Sequence, residues 1–423
     1  MNQHRLMVAV LGFALVSAPA YAEGGIKLTS EARMHPLIQA GFAFDSNPHR
    51  ANDDTADSDG FLLLQGGFEL AIPSDRLDVR MNNVISYHHY LGLMADPTIQ
   101  ANTANLSTVK GGTALQLLGN RKGKVRWGAA GKINRMDEPE PLNLGVRQGR
   151  WSNGVDSFVE WRPGGGALGM KPAVSLTYDT YDQSGGAGAS KLNKVAPGMR
   201  LDFDWRFLPR TQFVINNHWT SVTYTNDEAA NGYADPVSSE IGVMGQVSPR
   251  LSAIIAVGYS GSQFLTSDKD TENATHTVSG QAEIRYDERR KVTWRLGFRR
   301  RLLPVSVFGF MTDNSAYARY SEKYFGGLRV VTQLKASVRT FGSQISAQDV
   351  ILITEGATRA DTTIGFDANL LWQPQKWWVA GLTNRFEYFG SNTRFKTAGA
   401  AGDGLVDSGF ARNLTMLVFE AKY

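Results

Sequence analysis

The 423-residue chain has no cysteine, which excludes disulfides, thiolate metal centres and cysteine nucleophiles together. Long apolar runs are also missing. Beyond the first 22 residues no stretch approaches the roughly 18 consecutive apolar residues that a membrane-spanning helix needs. Neither sign of charge is in large excess: 44 Lys+Arg against 40 Asp+Glu leave a formal charge of +4, too little to imply a nucleic-acid partner. Proline is sparse, with 15 residues against 44 glycines. Aromatic residues are plentiful. With 9 Trp, 14 Tyr and 21 Phe the chain has ample surface to bury, which rules out intrinsic disorder. A mean hydropathy of -0.26 resembles that of a soluble protein, and the length of 423 residues would suggest two or three soluble domains, but large barrels break that prior.

The first 22 residues have the pattern of a secretory signal. His4 and Arg5 form a short basic region, an apolar run follows from Leu6 to Val16, and Ala20-Tyr21-Ala22 follows Pro19. The A-x-A ending is a cleavage signature, so residues 1–22 are expected to be removed and residues 23–423 to form one domain outside the cytoplasm. No cysteine follows the cleavage box, which excludes a lipid anchor there.

Along the mature chain, tight-turn sequences recur about every forty-four residues. They fall at Pro73-Ser74-Asp75, Gly119 to Gly123, Pro163 to Gly166, Leu208-Pro209-Arg210, Ser248-Pro249-Arg250, Asp287 to Arg290, Gly326-Gly327 and Gln373-Pro374-Gln375. Longer polar segments, such as Ser46 to Ser58, Met136 to Gln148 and Phe341 to Ala357, lie between consecutive short turns. The segments that connect them alternate in polarity. Leu201, Phe203, Trp205 and Phe207 interleave with Arg200, Asp202, Asp204 and Arg206; Val292, Trp294, Leu296 and Phe298 interleave with Thr293, Arg295, Gly297 and Arg299. Period two over ten or more residues predicts strands with one apolar and one polar face.

A propeller blade would divide the same period among four short strands. Two strands of about 11–15 residues per period are long enough to cross a bilayer obliquely. Eight short turns together with the two terminal strands predict an all-β, antiparallel up-and-down transmembrane barrel of about eighteen strands, within a range of sixteen to twenty. An even count puts both termini at the short-turn end, which in an outer-membrane barrel is the periplasmic side. Pro36, Pro172 and Pro197 fall inside these strands and predict bulges or shifted boundaries.

The parity of the alternation assigns roles. Trp127, Trp161, Trp205, Trp294, Trp372 and Trp378 share the apolar parity and lie close to short turns, as a periplasmic aromatic girdle would. Arg80, Arg126, Arg200, Arg206, Arg285, Arg295, Arg299, Arg329, Lys335, Arg339 and Arg385 take the opposite parity and are expected to line the lumen. Fewer carboxylates share that parity, so the lumen is expected to favour anions unless its charges neutralise one another. Tyr181 and Trp377 are also read as inward-facing. In the last strand, Leu417, Phe419, Ala421 and Tyr423 form one face ending on an aromatic terminus, which resembles the recognition signal of the barrel assembly machinery.

Enzymatic and metal sites find little support, and no catalytic residue, metal or cofactor is assigned. The segment Asp53 to Gly60 spaces carboxylates as a calcium loop might but lacks the terminal Glu. Seven scattered histidines include no H-E-x-x-H pair, and Gly119 to Gly123 lacks the ending of a phosphate loop. His218 and Ser221 suggest a nucleophile, but no Asn-Gly partner follows.

One segment carries a family resemblance. Phe44-Asp45-Ser46-Asn47, with the Gly41-Phe42-Ala43 that precedes it, is similar to the aromatic-Asp-Ser-Asn segment of a large family of β-barrel porins that accompany exopolysaccharide or capsule export systems. Phe44 stands where that family more often has Tyr. The resemblance implies an outer-membrane conduit or accessory of polysaccharide secretion, in contact with lipid, lipopolysaccharide and periplasmic polysaccharide-export proteins; with a basic lumen, the expected passenger is an anionic polysaccharide. The alternatives are a general or anion-preferring porin and a structural barrel of an envelope-spanning machine. None of the three involves nucleic acid.

Overall fold

The computed structural model describes residues 25–29, 31–48, 58–92, 107–136, 149–182, 193–225, 233–265, 272–288, 291–305, 309–342, 352–353, 359–392, 394–396, 405–407 and 409–422. Eighteen antiparallel strands close into a barrel. In chain order they are β1 (Arg33–Asp45), β2 (Asp59–Ile72), β3 (Leu77–Tyr90), β4 (Thr108–Gly119), β5 (Val125–Met136) and β6 (Arg150–Trp161). Next come β7 (Leu168–Tyr181), β8 (Lys194–Leu208), β9 (Thr211–Thr220), β10 (Val237–Gln246), β11 (Leu251–Leu265) and β12 (Glu272–Glu288). The last six are β13 (Val292–Val305), β14 (Gly309–Lys323), β15 (Leu328–Phe341), β16 (Ala360–Gln375), β17 (Trp378–Ser391) and β18 (Phe410–Lys422). Val222–Tyr224 and Tyr233–Ala234 extend β9 and β10.

β1 closes the ring by pairing with β2 on one edge and β18 on the other, in the register Leu37↔Lys422 to Asp45↔Leu414. Closure leaves no open edge, so the backbone groups of every strand find partners without water. The start of β1 and the end of β18 both lie at the short-turn end. The opposite end carries the longer connections, although β13 and β14 are separated there by only residues 306–308. A second, three-stranded sheet of Leu352–Ile353, Arg394–Lys396 and Leu405–Asp407 comes from connections of that longer set.

Of the bulges or shifted boundaries expected at the prolines, no bulge appears, and the one boundary is the interruption of β9 opposite Pro197. Register is unchanged across all three; what is lost is hydrogen bonding. Pro36 precedes the first β18 partner of β1, Leu37. At Pro172 the β6–β7 ladder passes from Phe158↔Ala173 to Trp161↔Met170 with the pairs between them missing. Pro197 lies opposite Ser221, where β9 is interrupted; it accepts from the Ser221 amide at 2.9 Å and has no N–H to return the bond. The register shifts that do occur flank short turns, at Thr211/Phe213 and Trp372/Gln375.

Alternation sorts the side chains. Outward-facing Ile85, Val155, Ile255, Val278 and Leu296 are each more than half exposed. An uncovered apolar belt encircling the molecule far exceeds the patches that soluble monomers tolerate. Buried apolar residues lie on the inner face instead, as in the group Ala43, Phe61, Leu63, Tyr90 and Val418.

Candidate functional site: the barrel lumen

The inner wall changes character along the barrel axis. Towards the long-loop end of β14–β18 and β1–β3 it is packed and internally neutralised. Asp313 is shared between Arg301 at 3.2 Å and Arg339 at 3.3 Å. Arg359 meets Asp361 at 2.7 Å with both side chains essentially inaccessible, and its guanidinium lies over the Phe341 ring. Phe389 stacks on Phe410, and Phe61 packs against Tyr90. Buried charges of this kind persist because each is paired and hydrogen-bonded.

The Phe44-Asp45-Ser46-Asn47 segment belongs to this layer, at the seam between the first and last strands. Arg412 of β18 donates to the fully buried Asp45 carboxylate through Nε at 2.9 Å and Nη2 at 2.5 Å. The Asp45 carboxylate also accepts from the Asn47 amide at 3.2 Å, and the Asn47 side chain donates to the Ala411 carbonyl at 3.2 Å. The Ser46 amide donates to the Asn413 carbonyl, and the Asn413 amide donates to Ser46 Oγ. These contacts clasp the barrel shut. Arg412 had no signal in sequence, because its partner lies at the other end of the chain.

The expected lumen cations divide into two groups. Arg80 meets Asp78 at 3.1 Å, Arg200 meets Asp202 at 3.0 Å, Arg285 meets Asp287 at 2.6 Å and Arg385 meets Asp367 at 2.8 Å. Arg126 shares Glu160 with Arg162, which also reaches Asp204 at 3.0 Å. With Arg339, already paired to Asp313, six of the eleven are neutralised by a neighbour. Arg206, Arg295, Arg299, Arg329 and Lys335 have no carboxylate within ion-pair distance among the described residues; Arg329 reaches only Ser321 Oγ, at 3.4 Å. Four of these five lie on β13 and β15. The strand between them, β14, contributes one more such cation, Arg319, which pairs directly with Arg295 in the ladder. Arg299, Arg319, Arg329 and Lys335 are exposed although they face inward, so the interior is open to solvent along this wall.

Outward-facing aromatics form two levels. Trp127, Trp161, Trp205, Trp294, Trp372 and Trp378 lie near the short turns, joined there by Tyr320, which packs on Trp294 at 4.5 Å. Tyr87, Trp151, Tyr178, Trp219, Tyr259 and Tyr388 lie towards the long-loop end. In β18, Leu417 and Phe419 point outward, and Ala421 pairs with Ile38 and Trp378. Tyr423 lies outside the described residues, as do residues 1–22.

Several other expectations need correction or closure. Trp377 sits in the turn between β16 and β17, bonded to Gln375, and is not on the lumen wall. Tyr181 does face inward but is buried beneath Arg150. Residues 53–57 lie outside the described residues, and the Asp59 carboxylate is occupied by the amides of Gly60 and Gly92. His218 bonds to Thr220 on its own strand. Among the described residues no group of three His, Asp or Glu could hold a metal ion.

A closed antiparallel barrel with an apolar outer belt, a polar interior and two outward aromatic levels has the architecture of a membrane-spanning β-barrel. Comparison with solved structures agrees with that fold. The FrpB iron transporter from Neisseria meningitidis is similar at 7% identity, covering 92% of this chain and 82% of its own, with a TM-score of 0.50. A BenF-like porin from Pseudomonas fluorescens Pf-5 matches at 9% identity over 94% of this chain and 100% of its own, with a TM-score of 0.48. The outer membrane protein OpdK from Pseudomonas aeruginosa matches at 14% identity over 93% and 99%, with a TM-score of 0.47. No family model and no curated protein matches the chain.

Proposed function

We propose that this protein is an outer-membrane diffusion channel that favours anions. One observation carries the reading: solvent-exposed cations without carboxylate partners, Arg299, Arg319, Arg329 and Lys335, gather on one wall of an interior in which six other cations are paired to carboxylates. Eighteen strands leave room for water, and rings or walls of Arg and Lys select anions. In this reading the Trp level near the short turns sits at the periplasmic interface, with both termini on that side. Lipid and lipopolysaccharide contact the outer belt, and the barrel assembly machinery inserts the chain.

Passage of an anionic polysaccharide, with periplasmic export proteins as partners, is the narrower reading. Its support is the resemblance around Asp45-Ser46-Asn47, and those residues are engaged in closing the seam. We therefore place small-anion diffusion first. Proteoliposomes test it: entry of anionic solutes should exceed that of neutral or cationic solutes of equal size. Equal entry would remove the anion preference, and no entry would remove the channel. A deletion strain that loses surface polysaccharide would restore the narrower reading.

A further inference from the structure

The unpaired cations of β13–β15 are gathered around one aromatic ring. On β14, Tyr317 stands directly opposite Gly297 of β13 and Lys335 of β15. Its ring lies across Gly297, where a Cβ would overlap it, and its hydroxyl reaches over β13 to donate to Glu283 of β12. Gly297 is flanked on the same face by Arg295 and Arg299, and Tyr317 by Arg319. Directly opposed residues are separated by about 4.5–5.5 Å between Cα atoms, and same-face neighbours along a strand by about 7 Å. Four cations therefore surround a flat ring within a single side chain's reach, and Glu283, held by Tyr317, is the carboxylate among them.

Such a grouping is costly. Like charges directly opposite one another destabilise a sheet, and Arg295 faces both Arg319 and Arg285. Elsewhere on this wall the cost is met by an aspartate, as Asp313 does for Arg301 and Arg339 and Asp287 does for Arg285. Around Tyr317 the excess is left to solvent. Guanidinium forks bind carboxylate and phosphate groups bidentately, and several together favour a ligand carrying several such groups.

We propose that Arg295, Arg299, Arg319 and Lys335 form a discrete site for a small multivalent anion bearing two or more carboxylate or phosphate groups, with Tyr317 as its floor. This deepens the anion-channel reading and rests on it. Gly297 leaves the space that lets the ring lie flat, and the Tyr317 hydroxyl engages Glu283, the carboxylate in the same row of the sheet.

Calorimetric titration of the detergent-solubilised full chain tests the site without requiring conduction. The probes are citrate, pyrophosphate and acetate at equal ionic strength. Citrate or pyrophosphate should bind at least tenfold more tightly than acetate, and the variant combining Arg295→Gln with Arg319→Gln should lose at least tenfold in affinity for both. Arg206→Gln removes an equally unpaired cation on β8 and should change neither. Equal weak binding of all three probes to the wild-type chain overturns the site, and that comparison needs no variant. Equal damage from Arg206→Gln overturns it as well, because only general charge would then be at work. If citrate binds as stated while bilayers stay silent, the channel reading fails and the site stands; an anion-selective channel that ignores citrate is the reverse case.

Discussion

Replacing Asp45 by Asn perturbs the seam at the point where the ends of the chain meet. The wild-type carboxylate has no solvent exposure, and the Arg412 side chain retains 11%. The substituted amide would keep an acceptor for one of the two guanidinium bonds, at 2.9 and 2.5 Å, while leaving a cation that cannot be deprotonated against a neutral group. Removing one partner of a buried ion pair costs about 3–5 kcal/mol. Arg412 lies near the mouth, where water can reach it once the clasp loosens, so the lower limit applies: about 3 kcal/mol, roughly a hundredfold in the folded-to-unfolded ratio. Reversible urea unfolding in lipid vesicles, followed by tryptophan fluorescence, measures this directly. Adding Arg412→Gln removes the stranded charge and should recover more than half of the loss. A single-variant loss below about 0.5 kcal/mol, or a double variant no more stable than the single, would refute the clasp.

Gly297→Val places a side chain where the Tyr317 ring lies; overpacking of this kind should lower stability by about 1–3 kcal/mol, seen as a lower urea midpoint. Ile255→Arg, on an outward position that is already 65% exposed, separates a membrane belt from a soluble surface. In a bilayer it should cost about 2–4 kcal/mol, whereas in water the same change would be nearly neutral. Deletion of Tyr423 should slow insertion into the outer membrane, measured as accumulation of protein that no longer resists unfolding by detergent at room temperature; normal insertion would remove the assembly role of the final strand.

The strand count and the turns were legible because both signals are local. Period-two alternation and Pro, Gly and Asn turn chemistry place seven of the eight short connections without knowledge of which strands are neighbours; the eighth falls at Lys376-Trp377, because Gln373-Pro374-Gln375 ends β16 instead of turning. Pairing between charges was not legible, since it depends on register. Arg301 and Arg339 reach Asp313 from strands on either side of it, and Arg412 reaches Asp45 across 367 positions. Whether the lumen charges add up or neutralise one another is therefore not legible in the sequence. Arg319 escaped notice because its outward neighbours Ala316 and Ala318 are small and blur the alternation of β14. Trp377 leaves the wall because the turn signal at Gln373-Pro374-Gln375 lies three residues before the turn itself, which Lys376 and Trp377 form. The Asp45-Ser46-Asn47 segment was visible as a motif, but its engagement with β18 emerges only once the ring closes.

The zero-current potential of the purified protein in a planar bilayer, across a tenfold KCl gradient, bears most directly on the lumen. With Arg295, Arg299, Arg319, Arg329 and Lys335 facing the pore, chloride should carry most of the current at low salt. The preference should shrink as the Debye length falls from about 10 Å at 0.1 M to about 3 Å at 1 M. The combined Arg295→Gln, Arg299→Gln and Lys335→Gln variant should move the potential towards cations with its urea midpoint unchanged. A cation-selective wild-type channel, or a potential that the triple variant leaves where it was, would contradict the basic wall as the origin of selectivity.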